Sequence, residues 1–217
     1  MTLLAPLPPR AGRTAWLRGL AAAALTAGVV CQVVQRTDPT PPLLYFTVDS
    51  AVLAAAVQAR RLVRGPAGGV WGERIRGAAV VGVVLSSLVY FTVIAPSSPS
   101  GTWFGAHDDA WARTATVLLH AVAPVAVVAE FLASPCTLAT SRHEAFLLTC
   151  WPAAYLAVVG SLAWSGTATM PYLFLRPSQF GATAVATAVV VLYGITLTLA
   201  LALLAARSHT TKSRTRA

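Results

Sequence analysis

The chain has 217 residues, of which 56% are hydrophobic and only 11% are charged. A water-soluble domain carries about 25% charged residues, so this composition excludes a protein whose whole surface faces water. The net charge of +9 would suit a nucleic-acid partner in a soluble protein. No basic face or nucleic-acid-binding motif accompanies it here, so nucleic acid is not expected as a partner.

The apolar residues form six blocks, each near the length of about 20 residues that a helix needs to cross a bilayer. The blocks run over residues 15–35, 43–59, 75–95, 110–133, 145–166 and 180–206. Stretches rich in proline and glycine separate them, such as 38–42 and 65–69. In lipid, every backbone amide must find its partner inside its own segment, so each span should be helical. The sequence therefore predicts an all-α, polytopic membrane bundle of six transmembrane helices over residues 15–206.

Short segments flank this membrane domain, and the basic residues fix its orientation. Residues 1–14 are expected to form an N-terminal segment and residues 207–217 a basic, disordered tail. With six spans, thirteen of the sixteen Arg and Lys residues fall on the side of the N-terminus, leaving Arg36, Arg113 and Arg176 opposite. Because Arg and Lys accumulate in cytoplasmic loops, both termini are predicted to be cytoplasmic.

The balance of residue types bears on the source and on cofactors. Lys212 is the only lysine among sixteen basic residues and alanine is abundant, which indicates a GC-rich bacterial genome and hence a bacterial cytoplasmic membrane. Cys31, Cys136 and Cys150 show no metal-ligand spacing and are interpreted as apolar packing residues. No pattern indicates a metal, nucleotide or haem, so no cofactor is expected.

Polar side chains inside the predicted spans are the candidates for function. A charged side chain at the bilayer centre costs about 2.5–3.5 kcal/mol or more unless it faces protein or water. The second and fourth blocks carry such residues, namely Thr47, Asp49 and Ser50 in the second and Arg113, Thr116, His120 and Glu130 in the fourth. Steps of three and four residues place Asp109, Arg113, Thr116, His120 and Pro124 on one helix face. His120 is therefore predicted at the inner end of a polar track.

Thr47 and His120 are predicted to lie close together. At 1.5 Å per residue, Thr47 would lie roughly 6 to 8 Å below the outer end of its span and His120 roughly 15 Å below the outer end of the fourth. An alcohol is a poor nucleophile until a neighbouring base takes its proton, and a neutral imidazole can act as that base. The alternative is a threonine that only bonds its own backbone, which is the commoner role of membrane threonines.

Other polar residues leave alternatives open. Asp49 can orient His120 as a third catalytic member, pair with Arg113, or serve a proton pathway. Glu130 lies near the cytoplasmic end of its block and is interpreted as an ordinary interfacial charge. His107, Asp108 and Asp109 can bind a cation, but a solvated loop is the favoured interpretation because no metal-ligand pattern accompanies them. We refer to these three residues as the loop candidates for a cation site.

Three short segments resemble motifs of the androgen-induced family of integral membrane hydrolases and its bacterial relatives. They are Tyr45-Phe46-Thr47 with Ser50, Leu119-His120 followed by Pro124, and Pro171-Tyr172-Leu173-Phe174. Their order and spacing agree with that family over residues 15–205. The resemblance implies a hydrolase of fatty acid esters in which Thr47 is the nucleophile and His120 its base.

The residues and the resemblance together predict a six-span lipid hydrolase that cleaves an ester of a long-chain acid reached from the outer leaflet. Tyr172 and Ser50 are candidates for the donors that stabilise an oxyanion, and Arg113 and Thr116 for a path along which water enters. The alternative is a membrane protein without catalytic activity, either a small transporter or a scaffold. A pocket that ends blindly and opens sideways to lipid would favour the enzyme, whereas a path through both halves of the bundle would favour transport.

Overall fold

A computed structural model describes residues 9–35, 37–65, 69–98, 104 and 109–215, with side chains described from Thr14 to His209 within those ranges. All regular elements in these ranges are helical. The α-helices are α1 (Pro9–Val34), α2 (Phe46–Arg64), α3 (Gly69–Val89), α4 (Ala110–Val117), α5 (Ala123–Ala133), α6 (Arg142–Leu148), α7 (Cys150–Trp164), α8 (Pro177–Phe180) and α9 (Ala182–Thr215). Of these, α8 is a single turn. A π-helical turn extends α3 over Tyr90–Ile94, and another over Leu118–Val122 joins α4 to α5.

The prediction of an all-α membrane bundle is confirmed. Within the described ranges, five helical stretches are long and apolar enough to cross a membrane: Thr14–Val34, Gly69–Ile94, Ala110–Ala133, Arg142–Trp164 and Ala182–His209. The remaining predicted span is the second block, which corresponds to α2. This helix is 19 residues long and does not belong to the group of five. It packs along α1 and α3, and its polar residues Gln58 and Arg61 are buried in protein. Part of its polar content therefore lies inside the bundle, while Arg60 and Arg64 are exposed.

The start of α2 lies later than the sequence predicted. Pro41 and Pro42 favour a short 3-10 turn over Pro42–Leu44, and Tyr45 is extended, so the helix begins at Phe46. Thr47 is therefore the second residue of α2 and lies at the mouth of the bundle, not 6 to 8 Å below it. We call this end, where α2 and α4 begin and α1 and α3 finish, the outer end, following the orientation that the basic residues predict.

Close approach between helices depends on glycine, and two positions show this. A Cβ at Gly82 of α3 would lie 2.8 Å from Ser50 Oγ and 2.9 Å from Trp151 Cδ1. A Cβ at Gly28 of α1 would lie 2.6 Å from Leu119 Cδ2. Real Cβ atoms do not approach other atoms so closely, so only glycine lets α1 and α3 pack this tightly on their neighbours.

Glu130 is the centre of a buried charge cluster at the inner end of the bundle, and the interpretation of it as an interfacial charge is wrong. Its side chain is fully buried and accepts from Arg18 Nε at 3.0 Å, Arg76 Nη2 at 2.9 Å and Ser134 Oγ at 2.6 Å. Gln58 Nε2 of α2 also donates to it at 3.3 Å. Glu130 thus links α1, α2 and α3 to α5.

A second carboxylate extends this cluster. Glu73 Oε1 lies 2.9 Å from Arg61 Nη1, and Glu73 Oε2 lies 2.9 Å from Arg76 Nη1. We define the Glu130 cluster as Arg18, Gln58, Arg61, Glu73, Arg76, Glu130 and Ser134. Because Arg18 lies near the start of α1 and Arg207 in α9 contacts the same end of α5, the start of the first helix and the end of the last lie on one side of the bundle.

The last helix extends into the segment that was expected to be disordered. The α9 backbone stays helical through Thr215, and Arg207 is buried. The Arg207 guanidinium donates to the carbonyl oxygens of Phe131 and Ser134 at the end of α5. These carbonyls have no partner within their own helix, so the arginine satisfies them and holds α9 in place. Of the other sequence-predicted positions, Arg36, His107, Asp108 and residues 1–8 and 216–217 lie outside the described residues.

We expect Glu130→Ala to lower the free energy of unfolding by about 3–5 kcal/mol, because it leaves buried arginines without their counter-charge. Glu130→Gln, which keeps the shape and removes the charge, should also destabilise the protein. The measurement is an unfolding titration in mixed micelles. The control is Glu144→Gln at the Arg74–Glu144 pair, whose side chains are partly exposed. Equal losses at Glu130 and Glu144 would contradict the central place of Glu130.

Candidate functional site

Thr47 and His120 line the same cavity at the outer end, as the sequence predicted. The cavity has a volume of about 300 Å³ and lies among the ends of α1, α2, α3 and α4 and the segment 171–174. Thr116, one turn before His120, lines it too. Residues between the helices, such as Asp38 and Ser98, complete its wall, so the cavity faces the outer surface. Of the predicted polar track, Thr116 and His120 line this cavity, whereas Asp109 and Arg113 do not.

The helix that carries His120 is interrupted at this residue. Pro124 has no N–H, so the His120 carbonyl oxygen cannot accept the usual bond from four residues ahead. The Ser87 hydroxyl of α3 donates to that oxygen instead, at 2.5 Å. The π-helical turn over Leu118–Val122 adjusts the backbone at the same place. Such turns are frequent at functional sites because they reorient side chains that a regular helix would direct elsewhere.

The His120 imidazole is almost enclosed by protein, with 8% of the residue exposed. Its ring stacks on the ring of Tyr90, with centroids 4.0 Å apart and planes 12° apart. Tyr90 is the first residue of the other π-helical turn. The Nδ1 atom of His120 is buried and has no hydrogen-bond partner among the described residues. Stacking on Tyr90 is therefore a contact that can hold the plane of this ring.

Tyr172 places a hydroxyl beside Thr47 at the start of α2. The Tyr172 oxygen accepts from the backbone N–H of Phe46 at 3.0 Å, and it lies within hydrogen-bond reach of the Thr47 side chain. Burial raises the pKa of Tyr172 to about 12, so the hydroxyl keeps its proton at neutral pH. A protonated hydroxyl at this position can both accept a hydrogen bond and donate one.

A second, larger cavity meets the first at Thr47. It has a volume of about 530 Å³ and is lined mainly by apolar side chains of α3, α7 and α9, including Leu85, Leu156 and Leu192. Helices α7 and α9 both pack on α3 and only weakly on each other, which leaves the gap between them. Thr47 and Tyr172 line both cavities. A cavity lined mainly by apolar side chains and a cavity with more polar residues in its wall therefore meet at Thr47 and Tyr172.

Three of the predicted supporting residues lie elsewhere. Ser50 is fully buried between helices and accepts from Trp151 Nε1 at 3.0 Å, so it packs α2 against α7 and does not line either cavity. Asp49 does not line the His120 cavity and lies within electrostatic range of Tyr155. Arg113 is exposed on α4, with its guanidinium 5.6 Å from the Phe104 ring centroid.

Of the three loop candidates, only Asp109 lies among the described residues. Asp109 is the N-cap of α4 and accepts from the Ala112 N–H at 2.6 Å, while His107 and Asp108 lie outside the described residues. No group of three potential metal-ligating side chains occurs among the residues that the structure describes.

Sequence reasoning missed two features of the site. Tyr90 appears within an apolar block and carries no sequence signal that distinguishes it from a packing residue. In the sequence, Tyr45 stands out only as part of a short motif. Its hydroxyl donates to Asp38 Oδ2 at 2.7 Å, and both residues line the polar cavity. Burial raises the pKa of the Tyr45 hydroxyl, so this donor remains protonated.

Comparison of the chain with models of protein families, with curated proteins and with solved structures finds no match in any of the three.

The two cavities should differ in the solvent that reaches them. In a protein whose three native cysteines are replaced by alanine, Thr116→Cys should react with a charged, membrane-impermeant thiosulfonate added to the outer side of oriented vesicles. Leu156→Cys should react with an apolar maleimide and resist the charged reagent, because its cavity is lined mainly by apolar side chains. Mass spectrometry of the labelled protein measures both. Fast reaction of Leu156→Cys with the charged reagent would contradict the assignment.

Proposed function

We propose that the protein is an integral membrane hydrolase that cleaves esters of long-chain acids, with Thr47 as nucleophile and His120 as general base. The observation that carries the proposal is the position of Thr47, which lines both the polar cavity that contains His120 and the apolar cavity between α7 and α9. An ester of a long-chain acid has the same division, with an apolar chain joined to a polar group at the carbonyl. The similarity of the three short motifs to the androgen-induced family of membrane hydrolases supports the same roles.

The chemistry needs two proton transfers on each half of the reaction. His120 takes the proton of the Thr47 hydroxyl as Oγ1 attacks the ester carbonyl carbon, and the carbonyl electrons move to oxygen. We assign to the Tyr172 hydroxyl, which lies within hydrogen-bond reach of Thr47, the donation of a hydrogen bond to that oxyanion. The carbon–oxygen bond to the alcohol then breaks, and the alcohol leaves with the proton from His120. Water entering past Thr116 repeats these steps on the acyl-threonine, releases the acid and restores Thr47.

The placement of the substrate follows from the two chambers. The acyl chain would lie in the cavity lined by Leu156 and Leu192, where its burial is favourable. The alcohol and the water would occupy the cavity lined by Thr116 and His120. The substrate is thus a lipid drawn from the bilayer, and we propose that the protein works in the cytoplasmic membrane of a bacterium.

The alternative of a transporter finds less support. The two cavities described above are lined by residues of the outer part of the bundle, whereas the Glu130 cluster fills the inner end with ion pairs. A transporter would need to open that end, which means separating buried charges in low dielectric.

Replacing Thr47 by valine should abolish covalent labelling by a fluorophosphonate probe in purified, folded protein, because the attacking oxygen is lost. Thr47→Ser should retain labelling. The matched control is Thr114→Val on α4, whose hydroxyl donates only to the Ala110 carbonyl among its recorded partners and is exposed. Peptide mapping should place the adduct on Thr47. Labelling that persists in Thr47→Val would eliminate this mechanism.

Filling the apolar cavity should change chain-length preference. Leu192→Trp is expected to reduce kcat/KM for long-chain p-nitrophenyl esters by roughly tenfold or more while sparing the acetate ester, because a lost methylene-sized space costs about 1–3 kcal/mol. Val191→Trp is the matched control, since Val191 is 54% exposed and does not line the cavity. If the two variants lose long-chain activity equally, the acyl chain lies elsewhere.

A further inference from the structure

The base of the proposed hydrolase lacks the group that usually orients a catalytic histidine. In a triad, a carboxylate accepts from Nδ1–H and holds the imidazole in the correct plane. Here Nδ1 of His120 is buried without a hydrogen-bond partner among the described residues, and Asp49 does not line the cavity. With Nδ1 enclosed, Nε2 is the ring nitrogen left to act as the base in the cavity that His120 and Thr47 both line. A different contact must therefore fix the ring.

The ring of Tyr90 makes that contact. It lies parallel to the imidazole, 4.0 Å from it between centroids and inclined by 12°. The Tyr90 hydroxyl is within hydrogen-bond reach of the Thr116 side chain, one turn before His120 on the same helix. Tyr90 is buried, so its ring has little freedom to move away. Tyr90 therefore contacts both His120, through its ring, and Thr116, through its hydroxyl, and these contacts join the end of α3 to the helix that carries His120.

The backbone that carries the two rings also has special geometry, and α3 contacts it. Tyr90 and His120 each lie in a π-helical turn, and the Ser87 hydroxyl of α3 donates to the His120 carbonyl oxygen. Ser87 lies three residues before Tyr90, on the same face of α3. One helix therefore holds both the backbone and the side chain of His120.

We propose that Tyr90 is the positioning residue for His120, and that ring stacking takes the place of the orienting carboxylate. This inference rests on the proposed function. The stack keeps the imidazole plane fixed while Nε2 takes the Thr47 proton. The face of the tyrosine ring is electron-rich, so it also favours the imidazolium that forms when the proton arrives.

The test separates the ring from the hydroxyl. Tyr90→Phe keeps the ring face and should label with a fluorophosphonate at close to the parent rate. Tyr90→Leu fills the space without a ring, and it should lower the maximal labelling rate roughly 10- to 100-fold with little change in the probe concentration at half-maximal rate, since a misplaced base slows the chemical step. Tyr90→Met serves the same purpose if the leucine variant does not fold. Parent-like labelling of the variants without a ring, or equal loss in Tyr90→Phe, would overturn the proposal.

A second measurement does not depend on catalysis. Modification of His120 by diethyl pyrocarbonate, followed by mass spectrometry, should be slow in the parent and in Tyr90→Phe and faster in Tyr90→Leu, because loss of the stack frees the ring. If the parent shows no Thr47-dependent labelling, the hydrolase proposal fails, and this comparison still decides whether Tyr90 holds the imidazole. Equal modification rates in all variants would overturn the positioning role.

Discussion

The fold depends on the neutralisation of a buried carboxylate by arginines from other helices. Glu130 has no access to solvent and accepts hydrogen bonds from Arg18 of α1 and Arg76 of α3. A charge in such a place is tolerated only when its partners surround it, and removing one partner costs far more than the pair itself contributes. The helices that supply these partners cannot separate at their inner ends without exposing several charges to low dielectric. The cluster therefore fixes their mutual positions.

The fixed inner end allows the outer end to be open. Helices that are joined by ion pairs at one end can leave space at the other without losing their arrangement, and both cavities lie there. Thr47 occupies the first turn of α2 while Gln58 and Arg61, three turns further along the same helix, enter the charge cluster. The same helix thus presents a hydroxyl to the cavities and is held in register by its polar inner half. Packing of α1 and α3 through glycines brings the remaining walls into contact.

Much of this architecture could be predicted from sequence, because long apolar blocks and proline-rich breakers are local signals. The shared cavity of Thr47 and His120 was also predictable, since helical periodicity and span order place both residues near the outer end. The role of Glu130 was not, because its partners Arg18 and Arg76 lie 112 and 54 residues away and no local pattern connects them. Tyr90 was missed for a similar reason, as a tyrosine in an apolar block shows its partner only once the helices are packed.

The positions of Ser50 and of α2 depend on contacts between helices, which local sequence patterns do not record. Ser50 lies on a face of α2 that helical spacing cannot distinguish from the face of Thr47 without knowing which neighbour each side contacts. The structure turns Ser50 toward Trp151 and leaves Thr47 at the cavity. Hydropathy likewise underrates α2, because an average over residues does not record that Gln58 and Arg61 are hydrogen-bonded within the bundle.

The contact of Arg207 with the end of α5 has a consequence for biogenesis. Phe131 and Ser134 emerge from the ribosome more than seventy residues before the arginine that binds their carbonyl oxygens. Until then, the last turn of α5 has acceptors that only water or lipid headgroups can satisfy. Synthesis of Arg207 therefore supplies the donor for these carbonyl oxygens. A nascent chain stopped before residue 207 would lack the contact between α9 and the end of α5.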